Sequence, residues 1–276
     1  MDDRFPPGMF RVAYQLFRFR GLLATLTSRE LKARYRGSVL GFLWSLANPL
    51  LLLAVYTFVF SVVFKPGDRG GMTPYALFLV SGLFPWIWTS ASLLEGSMSL
   101  IANSGLIRKA VFPAELLPMV SVLSNLVHFL FALPIVIAAI LAGHVLGYPV
   151  GGLPVLALPL VILLHLPMVA GLALGLAALT VHFKDVRDLL ANLLTLLFFL
   201  TPILFSLDSI RHLAPVWWAV RLNPFTPFIL AYQDVLFRGR FPDPLLWVQM
   251  ALVSLVAWAF GAGLFDRLRE TLVEVA

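Results

Sequence analysis

The stretch that decides the fold is residues 28–53, which reads SRELKARYRGSVLGFLWSLANPLLLL. Its first nine positions hold four basic residues, and from Gly37 to Phe64 the chain contains no Asp, Glu, Lys or Arg. A basic segment that leads directly into a long apolar run is typical of a cytoplasmic flank followed by a membrane span. Gly37 and Gly41 permit a sharp turn at the junction, and Pro49 weakens the helix inside the span.

The composition of the whole chain agrees with a membrane protein. The 276 residues are 60% hydrophobic and only 12% charged, whereas soluble domains carry about 25% charged residues. The mean hydropathy is +0.92 and the pI is near 10.0. A nucleic-acid binder is disfavoured all the same, because eight of the twenty basic residues lie before residue 37, beside the first apolar run. The absence of cysteine excludes disulfides, thiol catalysis and iron–sulfur clusters.

Stretches without charged residues locate the membrane spans. A spanning helix needs about 20 apolar residues, and a polar, breaker-rich patch at residues 143–154 divides the longest stretch in two. We therefore predict an all-α, polytopic membrane protein with a transmembrane domain over residues 40–264, between cytoplasmic segments at 1–39 and 265–276. The six predicted spans lie near residues 40–64, 75–98, 115–142, 154–181, 189–206 and 245–264. No short apolar region with a cleavage site stands at the N-terminus, so we expect no removable signal peptide.

The distribution of Lys and Arg predicts the orientation. With the N-terminus inside, the cytoplasmic pieces hold fourteen basic residues: eight in residues 1–39 and two in each of 102–114, 182–188 and 265–276. The opposite side holds the other six. By the positive-inside rule, we predict a multi-pass membrane protein with both termini in the cytoplasm.

The N-terminal segment is predicted to contain two helices. Apolar residues recur at helical spacing over residues 9–23, with basic residues on another face, which is typical of an amphipathic helix lying in the membrane interface. Thr27 and Glu30 then fit a capping box that begins a second, short helix reaching about Tyr35. Glu30 and Arg34 stand four residues apart on that helix and can pair.

Residues 208–243 are too polar to span the bilayer and more apolar than ordinary loops. Pro215, Pro224 and Pro227 divide this segment into short pieces, and it is rich in aromatic residues, which favour the membrane interface. We predict two short re-entrant helices that dip into the outer leaflet between spans five and six. A surface helix anchored by its aromatic residues is the alternative.

Three further stretches, together with residues 29–49, form a recognisable pattern. They are residues 103–113 (NSGLIRKAVFP), residues 183–188 (FKDVRD), and the pair 201–203 and 222–225. In order and topology these four stretches resemble the type-2 ABC transporter permeases for polysaccharide and polyol phosphate export. That family includes the membrane subunits of O-antigen, teichoic acid, capsule and mycobacterial galactan exporters.

The resemblance implies a function and a set of partners. Family members form homodimers bound to two ABC ATPase subunits, so this chain would be a non-catalytic permease subunit. It would move an undecaprenyl- or decaprenyl-linked glycan outward across the inner membrane, in cell envelope biogenesis. ATP and Mg²⁺ would bind to the ATPase partner, and we expect no cofactor on this chain, which has no glycine-rich loop ending in Gly-Lys-Ser/Thr.

The resemblance also assigns roles to cytoplasmic residues. In the family, a gate helix precedes the first span, here residues 28–36, and a coupling helix in the first cytoplasmic loop docks into the ATPase, here residues 103–112. The gate-helix residues are Arg29, Glu30, Lys32, Arg34, Tyr35 and Arg36. The ATPase-contacting residues are Leu106, Ile107, Arg108, Lys109 and Phe112, joined by Lys184 and Asp185 of the second cytoplasmic loop.

The chemistry of residues 103–112 suits docking. Three apolar side chains offer anchors, and Arg108 and Lys109 can meet acidic residues on a partner. Positive-inside topology explains the two basic residues without any partner, but it does not explain the apolar residues beside them. At residues 183–188, solvated helix surface is an equally good interpretation.

Three ionisable residues fall within the predicted spans. Glu95 lies near the cytoplasmic end of the second span, where pairing with an arginine of the N-terminal helix is favoured over a functional role deep in the membrane. His128 and His165 lie on separate spans without a carboxylate at ligand spacing, so interhelical hydrogen bonding is favoured over a proton relay or a metal site. Among the aromatic residues, those assigned to a substrate path are Trp44, Tyr56 and Phe60, although interfacial belts and lipid-facing packing explain most such residues.

Three other functions are alternatives to polysaccharide export. An ABC efflux permease for a small molecule or drug is the nearest alternative, and only the resemblance of the basic gate-helix stretch argues against it. An ion-coupled secondary transporter needs ionisable groups near mid-membrane, where these spans offer histidines and little else. An integral membrane enzyme acting on a lipid carrier needs clustered carboxylates or a metal site, and the sequence shows no such cluster.

Overall fold

The computed structural model describes residues 8–34, 36–37, 41–59, 72–105, 113–183 and 185–275. Within these ranges every regular element is a helix, so the prediction of an all-α fold is confirmed. The α-helices are α1 (Met9–Arg18), α2 (Arg20–Arg34), α3 (Trp44–Phe58), α4 (Tyr75–Ala102), α5 (Leu116–Val145), α6 (Leu158–His182), α7 (Val186–Leu200), α8 (Ala214–Leu222), α9 (Thr226–Leu236) and α10 (Pro244–Val275). Short 3-10 helices are Gly41–Leu43, Leu153–Ala157 and Leu207–Ile210.

Four described helices are long and apolar enough to cross a membrane, and they coincide with four of the six predicted spans. These are Tyr75–Ala102, Leu116–Val145, Leu153–His182 and Pro244–Arg269. The two other predicted spans correspond to α3 and α7, each of which has 15 residues in the described chain.

Helix α4 lies at the centre of the bundle. It packs against α3, α5, α6, α7 and α9, and 72% of its most apolar stretch is buried, against 28% for Pro244–Arg269. The outer faces of α5, α6 and α10 carry large exposed apolar side chains, such as Phe131, Leu163 and Phe260. Helices with an apolar outer surface of this kind are suited to contact with lipid, because a helix forms its backbone hydrogen bonds within its own segment.

Glycines allow α6 and α10 to pack with their backbones in contact. A Cβ added at Gly171 would collide with the backbone of Ala257 and Trp258, and one added at Gly261 would collide with the carbonyl of Gly171. Gly171 and Gly175 stand four residues apart on α6, which is the spacing of small residues at close interfaces between membrane helices.

Helix α7 ends earlier than the sequence predicted. The expected span was residues 189–206, but the helix begins at Val186 and ends at Leu200. The physical reason is Pro202: the residue before a proline avoids the helical region, and Thr201 accordingly adopts φ −105° and ψ 141°.

Two side chains from beyond α8 satisfy the backbone carbonyls where α7 stops. The Asn223 side-chain amide donates to the carbonyl of Leu200 at 3.3 Å and to the Thr201 hydroxyl at 2.9 Å. The Gln233 side-chain amide donates to the carbonyl of Pro202 at 2.6 Å. The end of α7 is therefore held by residues that follow it by more than twenty positions.

The chain between α7 and α10, together with the first three residues of α10, forms a cap at one end of the bundle, defined here as residues 201–246. Tyr75, at the start of α4, donates its hydroxyl to the carbonyl of Leu204 in the cap at 3.1 Å. Glu95 lies about 30 Å further along α4, because twenty helical residues rise by that distance, and it contacts Arg34 of α2. The cap and the N-terminal helices are thus at opposite ends.

Helix α9 is inserted into the bundle instead of lying on its surface. It packs against α4, α6 and α10, and all its residues except Leu230 are buried. Phe237, just after α9, meets Phe78 with ring centroids 5.4 Å apart, and Phe225, just before it, meets Trp86 at the same distance. These contacts extend over eight residues of α4, or about 12 Å of depth.

The predicted division of the N-terminal segment is wrong. The break falls at Phe19, not at Thr27, so the amphipathic stretch 9–23 is split between α1 and α2. Thr27 does not cap a helix: its hydroxyl donates to the carbonyl of Leu23 at 2.8 Å within a continuous α2. Leu23 and Thr27 are both buried on one face. Packing against the bundle therefore keeps α2 continuous at Thr27, although the sequence there resembles a capping box.

The glycine packing of α6 against α10 predicts opposite outcomes for two alanine substitutions. A Cβ at Gly263 meets nothing within 4 Å, and alanine is favoured over glycine in a helix by about 1 kcal/mol. Gly263→Ala should therefore leave the melting temperature of the detergent-solubilised protein unchanged or slightly raised. Gly171→Ala should lower that temperature by several degrees, because its Cβ collides with the Ala257 backbone. Equal effects of the two substitutions would contradict the packing described here.

Candidate functional site

A cluster of polar side chains joins α2 to the bundle at the end remote from the cap. The Arg34 guanidinium donates to Glu95 Oε2 at 2.7 Å and to Asn125 Oδ1 at 3.1 Å. The Asn125 amide donates to the same Glu95 oxygen at 2.7 Å, so the three side chains form a closed triangle. His128 Nδ1 lies 3.5 Å from Arg34 Nη1, and Glu30 Oε1 lies 3.9 Å from Arg34 Nη2. These five residues are called the Arg34 cluster below.

Three helices bring the cluster together. Arg34 is the last residue of α2, Glu95 belongs to α4, and Asn125 and His128 lie one turn apart on α5. The predicted pairing of Glu30 with Arg34, that of Glu95 with an N-terminal arginine, and the interhelical contact of His128 are all confirmed.

The Arg34–Glu95 pair is partly open to solvent, with side-chain exposures of 27% and 39%. A pair at this depth contributes only about 1 kcal/mol or less to stability. Asn125 hydrogen-bonds to both partners of the ion pair, and hydrogen bonds are directional. The main effect of the cluster is therefore to set the position of α2. It fixes where the last turn of α2 stands against α4 and α5.

An open cleft of about 680 Å³ lies beside the cluster, between α2, α4 and α5. Its α2 wall carries Arg29, Glu30 and Arg34 together with Leu26 and Ala33. The opposite wall is formed by Glu95, Met98, Ser99, Ala102, Asn103, Leu117, Val120 and Ser121. Its volume lies within the range of small-molecule sites, about 300–1,000 Å³. The mixture of charged and apolar walls suits an amphipathic ligand.

A second polar group is buried deeper in the bundle. His165 Nε2 lies 3.3 Å from the Thr89 hydroxyl, and His165 Nδ1 lies 3.4 Å from the Tyr232 hydroxyl. The imidazole stacks on Phe228 with centroids 4.5 Å apart and meets Trp88 edge to face at 4.8 Å. These contacts join α4, α6 and α9, so the predicted interhelical hydrogen bonding of His165 is confirmed. In the described part of the chain, no group of three or more His, Cys, Asp or Glu is placed to hold a metal ion.

Comparison with known proteins decides the family. The model of the ABC-2 type transporter family matches residues 21–237, a stretch that contains the whole Arg34 cluster and helix α9. The chain belongs to the ABC-2 type transporter family. The resemblance drawn from four short stretches of sequence is therefore confirmed.

Relatives of this ABC-2 transporter chain match it over nearly the full length. The O-antigen export system permease protein RfbA of Myxococcus xanthus is 37% identical over 269 residues, which cover 96% of this chain and 99% of that protein. A protein of the same name from Klebsiella pneumoniae is 29% identical, with coverage of 96% and 98%. The polysialic acid transport protein KpsM of Escherichia coli is 22% identical, with coverage of 89% and 92%.

The predicted gate-helix residues of this ABC-2 transporter fall into two groups. Arg29, Glu30 and Arg34 line the cleft. Lys32 and Arg36 are exposed and do not line it, and Tyr35 lies outside the described residues. The gate helix is also not a separate element, because residues 28–34 are the last two turns of α2.

Most of the predicted ATPase contacts lie outside the described residues: Leu106, Ile107, Arg108, Lys109, Phe112 and Lys184. Asp185 is exposed just before α7. Asn103, where the predicted coupling segment begins, donates its side-chain amide to the carbonyl of Ser99 at 2.9 Å. This bond satisfies a backbone carbonyl in the last turn of α4. Asn103 itself lines the cleft.

The residues predicted for a substrate path are not brought together. Trp44 is 45% exposed, whereas Tyr56 stacks on Phe198 of α7 with centroids 5.7 Å apart. The two residues are twelve positions apart on α3, or about 18 Å. Phe60 lies outside the described residues.

The sequence analysis did not identify Asn125, although its side chain hydrogen-bonds to both Arg34 and Glu95. An asparagine in an otherwise apolar predicted span is a signal for interhelical hydrogen bonding. Its partners could not be identified from sequence, because α5 and α2 are brought together only by the packing of the bundle.

The Arg34 cluster predicts how α2 is attached. Arg34→Ala and Glu95→Ala should each release the last turns of α2, so that backbone amides of residues 28–34 exchange with deuterium up to about fivefold faster, as loss of about 1 kcal/mol implies. Lys32→Ala removes an exposed charge two positions away and serves as the matched control. Unchanged exchange in both cluster variants would show that α2 is held by its apolar face alone.

Proposed function

We propose that the chain is the membrane subunit of an ABC exporter that moves a lipid-linked polysaccharide of the O-antigen, teichoic acid or galactan type across the bacterial inner membrane. The observation that carries this proposal is 37% identity, over 96% of this chain, to an O-antigen export permease. The polysialic acid transport relative, which also covers most of the chain, supports a polysaccharide as the cargo class.

In this proposal the chain crosses the membrane six times, with α3 and α7 as the first and fifth spans. The described part of α3 exposes Leu51, Val55 and Phe58, which suit contact with lipid. Helix α7 rises about 22 Å, and the chain continues from it into the cap through the buried residues 201–203. Both termini face the cytoplasm, because the segment that contains α1 and α2 holds eight of the twenty basic residues.

Helices α8 and α9 form the re-entrant pair of this topology. Most of α8 is exposed, with Trp218 at 55%, while α9 is buried against α4 and α6 over about 12 Å of depth. Non-helical backbone at membrane depth is tolerated only where protein satisfies it. Asn223 and Gln233 supply those bonds at the end of α7.

Two copies of the chain associate with two ABC ATPase subunits, which bind ATP and Mg²⁺, while the chain itself has no catalytic role. The coupling segment at residues 103–112 and the second loop at 184–185 contact the ATPase. The cleft beside the Arg34 cluster lies next to this segment, since Asn103 belongs to both. Nucleotide-driven motion of the coupling segment therefore reaches the gate helix through α4 and the Arg34–Glu95 contact.

Deletion of the gene tests the cargo. In the strain that carries it, the deletion should remove the surface polysaccharide and leave its lipid-linked form inside the cell, detected by immunoblotting of intact and lysed cells. Expression of the wild-type chain should restore the surface signal. Normal surface polysaccharide in the deletion strain, in the absence of a second exporter gene, would refute the proposal.

The coupling segment predicts an order of effects among three substitutions. Ile107 and Phe112 are proposed as buried anchors, whose truncation costs on the order of 2 kcal/mol or more, whereas a charge at the rim of an interface costs less. Ile107→Ala and Phe112→Ala should weaken co-purification of the ATPase at least tenfold, with normal membrane insertion. Lys109→Ala should weaken it less. If the lysine substitution has the larger effect, the basic residues serve topology or charge pairing, and the coupling assignment is wrong.

A further inference from the structure

The charged residues of the cap converge on one pocket. Residues 201–246 contain seven Asp, Arg, Lys or Glu residues, and six of them line a single pocket of about 250 Å³. These six are Asp208, Arg221, Asp234, Arg238, Arg240 and Asp243. They come from the turn after α7, the end of α8, the end of α9 and the approach to α10. Charged residues that served only to solubilise the surface would be distributed over the cap and would not line one pocket.

The pocket is held in shape by a buried carboxylate. Asp234 is only 2% exposed, and its Oδ1 accepts hydrogen bonds from Arg238 Nη1 and Arg240 Nε, both at 2.9 Å. The backbone N–H of Arg240 donates to the carbonyl of Asp234 at 3.0 Å. Charge-assisted bonds of this kind are short and directional, so the two arginines are fixed before any ligand arrives. Arg221 is also oriented, because its guanidinium lies 4.9 Å from the centre of the Trp217 ring.

Some hydrogen-bond donors and acceptors of the lining residues are not used by the contacts with Asp234 and can face the pocket. Asp234 occupies Nε of Arg240, and the guanidinium carries further N–H donors beyond that nitrogen. Asp208 and Asp243 attract Arg240 electrostatically but stand beyond ion-pair distance within the described residues. Their carboxylates are exposed. Gln249 adds an amide that can donate and accept.

The charges of the pocket are balanced, with three carboxylates and three guanidinium groups. A phosphate or a metal ion would meet as much repulsion as attraction there. A neutral ligand with neighbouring hydroxyl groups is not repelled by either kind of charge. Each hydroxyl can donate to a carboxylate and accept from a guanidinium or an amide. A few convergent polar groups in a concave site are what fixes the orientation of a small ligand.

We propose that this pocket binds a single neutral sugar unit of the exported glycan through its hydroxyl groups, at the end of the bundle opposite the Arg34 cluster. The proposal rests on the function proposed above, because a sugar reaches this face only if the chain handles a glycan. It names a contact for the glycan on the outer side, after the polymer has passed the membrane. Asp208, Asp243 and Arg221 are the residues assigned to sugar contact, and Asp234 is assigned to positioning.

The test is saturation-transfer NMR on the full chain in lipid nanodiscs, which detects weak binding of small sugars. The probes are glucose, mannose, rhamnose and N-acetylglucosamine, with inorganic phosphate monitored separately by phosphorus NMR. We expect transfer to at least one sugar and none to phosphate. The double variant Asp208→Asn/Asp243→Asn keeps side-chain volume and should bind about tenfold more weakly or worse, since it removes the charge from both carboxylates that accept hydrogen bonds from the sugar hydroxyls.

Two arginines of the cap provide a matched pair. Arg221 lines the pocket and Arg211 does not, and both are exposed. Arg221→Gln should weaken sugar binding several-fold, whereas Arg211→Gln should leave it unchanged. The helical circular dichroism and monodispersity of each variant are measured alongside, so that a loss of fold is not mistaken for a loss of binding.

Three outcomes would overturn the proposal: no transfer to any sugar in the wild-type chain, equal sugar binding by the two arginine variants, or preferential binding of phosphate. The first two would leave an ion-pair network that only braces the cap. Export in the complemented deletion strain is scored independently. A chain that exports polysaccharide but binds no sugar at this pocket would refute this site and leave the exporter proposal standing.

Discussion

Backbone carbonyls that no helix can satisfy dictate the form of the cap. Where Pro202 stops α7, the carbonyls of Leu200 and Pro202 lose their partners in the next turn, and in hydrocarbon each would cost several kcal/mol. Asn223 and Gln233 supply the missing donors from the far side of α8. To do so, the chain must turn back and lay α9 against α4. The insertion of α9, its aromatic contacts with α4 and the position of Asp234 at its end all follow from that requirement.

The two ends of the bundle use polar groups in different ways. At the cap, Asp234 is almost fully buried and binds two arginines, so the charges brace a rigid structure. At the other end the Arg34 cluster is partly solvated and holds a helix that otherwise rests on its apolar face. The cap is therefore held by ion pairs to a buried carboxylate, whereas the N-terminal helix is held by a partly solvated cluster. The His165 contacts between them tie α9 to the central helices.

The sequence predicted those features that depend on the residues of a single continuous segment. Charge-free stretches located the four long spans, because a helix must cover the hydrocarbon thickness. The pairing of Glu95 with an N-terminal arginine followed from its shallow depth. The capping box at Thr27 failed, since the burial of Leu23 and Thr27 in tertiary contacts outweighed a local start signal. The Asn125 triangle and the charged pocket could not be predicted, because their members come from helices whose adjacency no local pattern encodes. The assignments at residues 106–112 stay predictions.

The glycine contact between α6 and α10 also bears on biosynthesis. Leu164 and Ser254, which hydrogen-bond across this interface, are ninety residues apart in sequence, so α6 enters the membrane long before its partner is made. Until then the groove around Gly171 and Gly175 has only lipid to fill it, and a lipid tail cannot match a helix backbone at that distance. Ribosomal synthesis thus leaves the interface incomplete until α10 arrives. Chains interrupted before α10 would lack this contact and would leave the α6 backbone at Gly171 uncovered.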